Sequence, residues 1–149
     1  RHRAMSEEKA TERPQRQEPK TGLFVDTDPF WKGTERGELM LQYCTETQQF
    51  QMFPRPVSMY TGARELEWRA VSGRGTIYAC TIVRVPAPNL DASRLPLSLV
   101  TVELEEGVRI LGNILERDPE SVAIGQRVEL AWDPISDEVQ YPAFKVVED

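Results

Sequence analysis

Three features of this sequence predict a mainly β protein with a short helical arm ahead of it. From residue 66 onward the apolar residues recur with a period of two, the period of a strand with one buried face. Turn-forming Gly, Pro and Asp interrupt that stretch at intervals that leave room for five strands. Ahead of it, Asp28-Pro29-Phe30-Trp31 has the make-up of a helix start. Thr27 or Asp28 can cap, and Pro29 suits the first turn because its missing N–H would be unbonded there anyway.

Taken in order, residues 1–25 are polar, charged and nearly free of large apolar side chains. Such a stretch cannot bury enough surface to offset its ordering entropy and is expected to be disordered. Arg1-His2-Arg3-Ala4 ahead of Met5 reads as an expression remnant, with Met5 as the native start. Residues 26–42 read as the helical arm. Phe30 and Trp31 lie on a first helix, a break falls near Gly33, and Leu39 and Leu41 lie on a second short helix. Residues 43–65 are polar, with Phe50, Met52 and Phe53 followed by Pro54 and Pro56, and read as a loop or ribbon insertion.

Residues 66–149 read as the barrel. Ser72-Gly73-Arg74-Gly75 marks a bulge or bend before a long strand through Ile77, Ala79, Thr81 and Val83. A proline-rich loop leads to two strands, Leu97 to Leu104 and residues 108–115, around the turn Glu105-Glu106-Gly107. Asp118-Pro119-Glu120 starts one helical turn. Val128, Leu130 and Trp132 mark a fourth strand, and residues 141–147 a fifth. Five strands with a helical piece between the third and fourth is the order of an OB-type Greek-key barrel.

Composition narrows the chemistry. The 149 residues suit one compact domain plus an extension, and 40% of them are hydrophobic, enough for a core. No apolar run approaches the roughly 20 residues of a membrane span. No secretory signal is visible, and two cysteines do not make a disulfide framework, so a reducing cytoplasm is expected. The net charge of −6 weighs against a nucleic-acid binder, which needs a basic surface to meet phosphates.

The single histidine, His2, lies in the tail, so neither Cys44 nor Cys80 has its usual activating partner. Cys80 falls in mid-strand, where a small buried hydrophobe is the expected role. Gly73-Arg74-Gly75 is too short for a phosphate-binding loop. Glu103, Glu105 and Glu106 read as a charged hairpin tip rather than a catalytic pair of acids. These readings predict a non-catalytic binding protein.

The segment after Tyr43 carries the most information. Cys44 and Thr47 stand at Cys-x-x-Cys spacing, and Ser58 and Thr61 repeat it, with Gly62 following. A closed tetrahedral zinc site needs four thiolate or imidazole ligands. One thiol and three hydroxyls do not supply them, so zinc and other cofactors are expected to be absent. The loop's shape is then expected to come from packing of Phe50, Phe53 and the prolines.

Several further segments occur in order at matching spacings: Asp28-Pro29-Phe30-Trp31-Lys32-Gly33, Gly37-Glu38-Leu39, Leu41-Gln42-Tyr43-Cys44, Phe53-Pro54-Arg55-Pro56, Leu66-Glu67-Trp68, Val71 to Tyr78, and Val102 to Asn113. Together they resemble the family of small proteins that join a rubredoxin-like zinc ribbon to an OB-fold, long catalogued as a domain of unknown function. The resemblance runs from about Thr27 to the C-terminus. The departure lies at the family's four cysteines, of which Cys44 alone remains beside Thr47, Ser58 and Thr61.

The resemblance implies a non-catalytic accessory subunit of a hetero-oligomer. Its partner would be a thiolase-like or acyl-CoA hydratase-like protein that makes or breaks carbon–carbon bonds in acyl-CoA thioesters, including steroid side-chain or aromatic-acid degradation. Phe30, Trp31, Phe50, Phe53 and Arg55 are then the candidate partner contacts, since aromatic and arginine side chains anchor interfaces. Phe30 and Trp31 can equally pack on their own barrel. Arg55, Arg69, Arg74 and Arg109 are the candidates for meeting CoA phosphates through a two-pronged guanidinium. The alternative is a single-stranded nucleic-acid-binding OB module that stacks bases on Tyr78 and Trp68.

Overall fold

The computed structural model describes residues 27–88, 90, 92–134 and 140–147. The tail expected over residues 1–25, with His2, lies outside them. The chain order is α1 (Asp28–Glu35), β1 (Met40–Cys44), β2 (Gln49–Gln51), β3 (Leu66–Ala70), β4 (Gly75–Val83), β5 (Leu97–Leu104), β6 (Arg109–Asn113), β7 (Arg127–Pro134) and β8 (Gln140–Val146). Single 3-10 turns stand at Ala92–Arg94 and Pro119–Ser121. No helix among the described residues is long and apolar enough to cross a membrane.

The helical arm is one helix, not two. Pro29 stands in its first turn as expected, although Thr27 precedes it without a side-chain capping bond. The helix passes through Gly33 rather than breaking there. A Cβ on Gly33 would lie 2.4 Å from Met40 Cγ and 2.8 Å from the Glu38 carbonyl oxygen, so this glycine lets the chain fold back tightly. The turn itself comes at Gly37, at φ 72°. Leu39 and Leu41 then belong to the extended chain, Leu41 within β1, and not to a second helix. Both are fully buried, and their spacing of two is that of a strand's inner face.

The strands form two sheets. The smaller is antiparallel in the order β2-β1-β3, and the larger runs β6-β5-β4-β7-β8. Residues 43–65 are therefore not simply a loop, since β1 and β2 form a hairpin. β3, which opens the segment expected to form the barrel, pairs along its whole length with β1. The larger sheet curls so that its outer strands meet at one parallel bridge, Ile114 with Phe144, rather than along a full ladder. The Leu115 amide donates to the Phe144 carbonyl (2.9 Å) at this seam.

One core serves both sheets. Ile77, Val100, Val102, Leu104, Val108, Ile110, Ile114, Val128 and Phe144 fill the curled sheet, and Leu39 and Leu41 join them. At Gly75 β4 lies close against β5. A Cβ there would lie 2.4 Å from the Glu103 carbonyl oxygen, which accounts for a glycine at the bend. The bulge of β4 lies further on, between Ile77 and Ala79.

That bulge corrects the reading of Cys80. Beyond it Cys80 is registered with Val100, whose side chain faces the core. Yet β7 pairs with β4 only at Gly75 and Thr76, so no strand lies beside this half of β4 on that edge among the described residues. Cys80 is exposed, its thiol 4.0 Å from the Val122 carbonyl oxygen.

Candidate functional site

The ribbon is assembled from the β1–β2 hairpin and the segment that follows it. Gln42 and Gln51 are cross-strand partners and both side chains are buried. Gln51 Nε2 donates to Gln42 Oε1 (2.8 Å) and to the Val57 carbonyl (3.2 Å). Gln42 Oε1 also accepts from the Arg55 amide (2.8 Å), while its Nε2 donates to the Arg55 carbonyl (2.9 Å). Gln51 Oε1 accepts from the Met59 amide (2.8 Å). Two glutamines thus hold the backbone of residues 55–59, a shape that the sequence alone assigns to Phe50, Phe53 and the prolines; of these Phe50 does pack against the core. Phe53 is instead 58% exposed and does not pack the loop.

Beside this pair Cys44, Thr47 and Ser58 come together, and Thr61 is joined to them through its backbone amide. Ser58 Oγ donates to Cys44 Sγ (3.1 Å) and accepts from the Tyr60 (3.1 Å) and Thr61 (3.3 Å) amides. Ser58 also bonds through its backbone, to the Ala63 carbonyl and from the Gly62 amide. The Ser58 hydroxyl foremost, and then the Thr47 hydroxyl, lower the Cys44 thiol from its ordinary 9.0 to about 7, against the opposing effect of burial. The zinc ion of a ribbon does not fit this set. Three of the four positions offer neutral hydroxyls, and the Ser58 oxygen is already saturated by protein groups. Among the described residues no three His, Cys, Asp or Glu side chains gather as a metal cluster.

The candidate contact residues divide sharply. Phe30 packs against the core and edge-on to Trp31 (4.9 Å between centroids), which meets Tyr141 in turn (5.4 Å). Phe50 packs on the core and against Tyr43 (5.0 Å). Phe53 and Arg55 project outward. With them stand Met59 and Tyr60, both exposed, the tyrosine hydroxyl tied to the Phe50 carbonyl (2.8 Å). Sequence reasoning missed Met59 and Tyr60; their place within the second knuckle was the only available signal.

The four arginines proposed for phosphates differ in their partners. Arg69 is paired with Glu67 and lies over the Tyr43 ring, its Cζ 3.8 Å from the centroid. Arg109 is paired with Glu103 and covers the Tyr78 ring at 3.6 Å. That places a guanidinium on the face where a base would stack. Arg74 is paired with Glu105, whose carboxyl it holds below the usual carboxylate range through that hydrogen bond. Arg74 also lines a shallow cleft with Thr76, Glu105, Arg127 and Glu129. Of the four arginines, Arg55 alone has no carboxylate partner among the described residues.

Comparison with known proteins agrees with this architecture. Residues 68–133 match the family described as the ChsH2 C-terminal OB-fold domain. Over 107 residues, 72% of this chain and 33% of the relative, the sequence is 33% identical to the 3-oxo-4,17-pregnadiene-20-carboxyl-CoA hydratase alpha subunit of Mycobacterium tuberculosis. Over 74 residues, 50% of this chain and 52% of the relative, it is 38% identical to a DUF35 domain-containing scaffold protein of Methanocaldococcus jannaschii. The chain thus spans between a third and about half the length of these curated relatives. A solved structure described as an Ltp2-ChsH2(DUF35) aldolase superposes with a TM-score of 0.74, at 23% identity, over 85% of this chain and 98% of that one. At that identity the likeness establishes the fold.

Proposed function

We infer that this chain, which belongs to the DUF35 family and carries its OB-fold domain, is a non-catalytic accessory subunit of an acyl-CoA-processing complex. The observation that carries the reading is the ribbon tip. Phe53, Met59 and Tyr60 expose apolar surface there on a backbone fixed by buried side chains, beside the exposed Arg55. Aromatic side chains and an arginine held rigidly at one edge are the composition of an interface anchor, and pre-organisation lowers the cost of docking. The described residues offer no nucleophile with an adjacent base. Relatives named as a hydratase alpha subunit and as scaffold proteins support the same division of labour.

In this reading the partner is a thiolase-superfamily or acyl-CoA hydratase-like protein that supplies the catalytic groups. Arg55 is the first candidate for a CoA phosphate, because its guanidinium has no carboxylate to leave among the described residues. Arg69, Arg74 and Arg109 would have to exchange one. The subunit is expected to work without zinc, in the cytoplasm.

The experiment is affinity purification of the full chain from its native host, with the retained proteins identified by mass spectrometry. A thiolase-superfamily or hydratase-like protein at a stoichiometric ratio is expected. Phe53→Ala with Tyr60→Ala should then weaken that complex by about tenfold or more. Recovery of the chain alone would overturn the reading, as would strong salt-sensitive retention of single-stranded nucleic acid.

A further inference from the structure

The disagreement between the ribbon's shape and its donor set has a physical resolution. A ribbon normally needs its metal because two short knuckles bury too little to hold each other. Here the cross-link between them is already made by protein groups. From the β1–β2 side come Gln42, Cys44 and Gln51, and from the second knuckle come the backbone of Arg55, Val57 and Met59 and the hydroxyl of Ser58. Gln42 is 5% exposed, Gln51 1%, Cys44 1% and Ser58 2%, so water does not compete for these bonds. Every polar atom of the two amides is used, and an unsatisfied buried amide would carry a large desolvation cost.

We propose that the Gln42–Gln51 pair, extended by Ser58 and Cys44, is a metal-independent clamp that does in this protein what a zinc ion does in a ribbon. The clamp closes the same ring of chain that a metal would close. It holds the segment carrying Arg55 and Met59 through direct bonds to their amides, so the ribbon tip stays fixed whatever the metal supply. This inference does not depend on the accessory-subunit reading, and the experiment below involves no partner.

The test is amide hydrogen exchange on the full chain, with and without a strong chelator, alongside elemental analysis. The Arg55 and Met59 amides should be protected, their exchange unchanged by chelator, with far less than one zinc per chain. Gln51→Leu should speed exchange at Met59 by about tenfold or more, while amides of β5 and β6 stay protected. A complementary variant, Thr47→Cys with Ser58→Cys and Thr61→Cys, restores four thiols at the metal-spaced positions. It should gain one zinc per chain and become sensitive to chelator. The proposal is overturned by stoichiometric zinc in the unmodified chain, by chelator-dependent exchange at Met59, or by unaltered exchange in Gln51→Leu. Failure of the four-cysteine variant to bind zinc would equally refute the equivalence of clamp and metal. If Gln51→Leu does not fold, Gln51→Glu keeps the acceptor for Met59 and at most one of the two donated bonds, and should loosen the segment around Val57 first.

Discussion

Asp133→Asn perturbs the most enclosed ion pair of the described residues. Arg94, in the 3-10 turn between β4 and β5, meets Asp133 near the end of β7 through both terminal nitrogens, one at 3.4 Å from Oδ1 and the other in closer contact with Oδ2. Their side chains are only 14% and 8% exposed, whereas the other pairs named above lie open to solvent. Removing one partner of a fully buried pair costs about 3–5 kcal/mol, because the remaining charge stays desolvated. The residual exposure of Arg94 lets some water reach the guanidinium, and Asn can still accept one bond, so the lower end applies, about 3 kcal/mol. Against a total stability of roughly 5–15 kcal/mol this is a large fraction. The assay is urea unfolding followed by tryptophan fluorescence, with Trp132 next to the pair as a local reporter. With a slope of about 1–3 kcal/mol per molar, the midpoint should fall by about 1–3 M. The double change Arg94→Met with Asp133→Leu removes the stranded charge and should recover much of the loss. A fall below about 0.5 kcal/mol in the single variant would show a solvated contact and refute the reasoning.

Other consequences of the structure can be checked in the same way. Gly75→Ala forces a methyl group against the Glu103 backbone and should cost about 1–3 kcal/mol in thermal or urea unfolding, with weakened protection of the β4–β5 ladder. The Cys44 thiol should titrate near 7, and Ser58→Ala should move it back up toward 9.0, as read by thiolate absorbance or alkylation rate. Because folding lowers this value, the contribution is present above the unfolded value and is lost as pH falls through about 7. The stability difference between the chain and Ser58→Ala should therefore grow between pH 7 and 9. Glu106→Ala removes the acceptor of the Ser72 amide (2.6 Å) and should cost about 1 kcal/mol, with faster exchange at Ser72 as the local sign.

Legibility followed the range of the interactions. The strands from β4 to β8 were readable because their inner faces alternate, and because Glu105-Glu106-Gly107 and Asp118-Pro119 mark turns within a few residues. The exposed half of β4 was not readable. Whether Cys80 is covered depends on where β7 stops pairing, a contact between residues some fifty positions apart, which local pattern cannot report. Leu39 and Leu41 fit both periods over so short a stretch, and the helical choice was wrong because Gly37, not Gly33, ends α1. In the ribbon the spacing of Cys44, Thr47, Ser58 and Thr61 was visible. Its stabilising groups were not, since Gln42 and Gln51 look like ordinary polar strand residues until their cross-strand register and burial are known.

The two sheets are coupled through one core and through several hydrogen bonds. Leu41 of β1 sits in the same core as Ile77 and Val102, so the ribbon's central strand is packed into the barrel rather than tethered to it. The Val71 amide donates to the Leu39 carbonyl (2.9 Å), and the short connection from β3 to β4 is pinned again by Glu106 on Ser72 and Glu105 on Arg74. On the far side, Gln140 Nε2 donates to the Thr34 carbonyl (2.7 Å), fixing α1 to the start of β8. The ribbon therefore has few soft torsions through which to swing relative to the barrel. A partner gripping Phe53, Met59 and Tyr60 would receive the barrel surface at a set distance and angle, with little ordering entropy left to lose on docking.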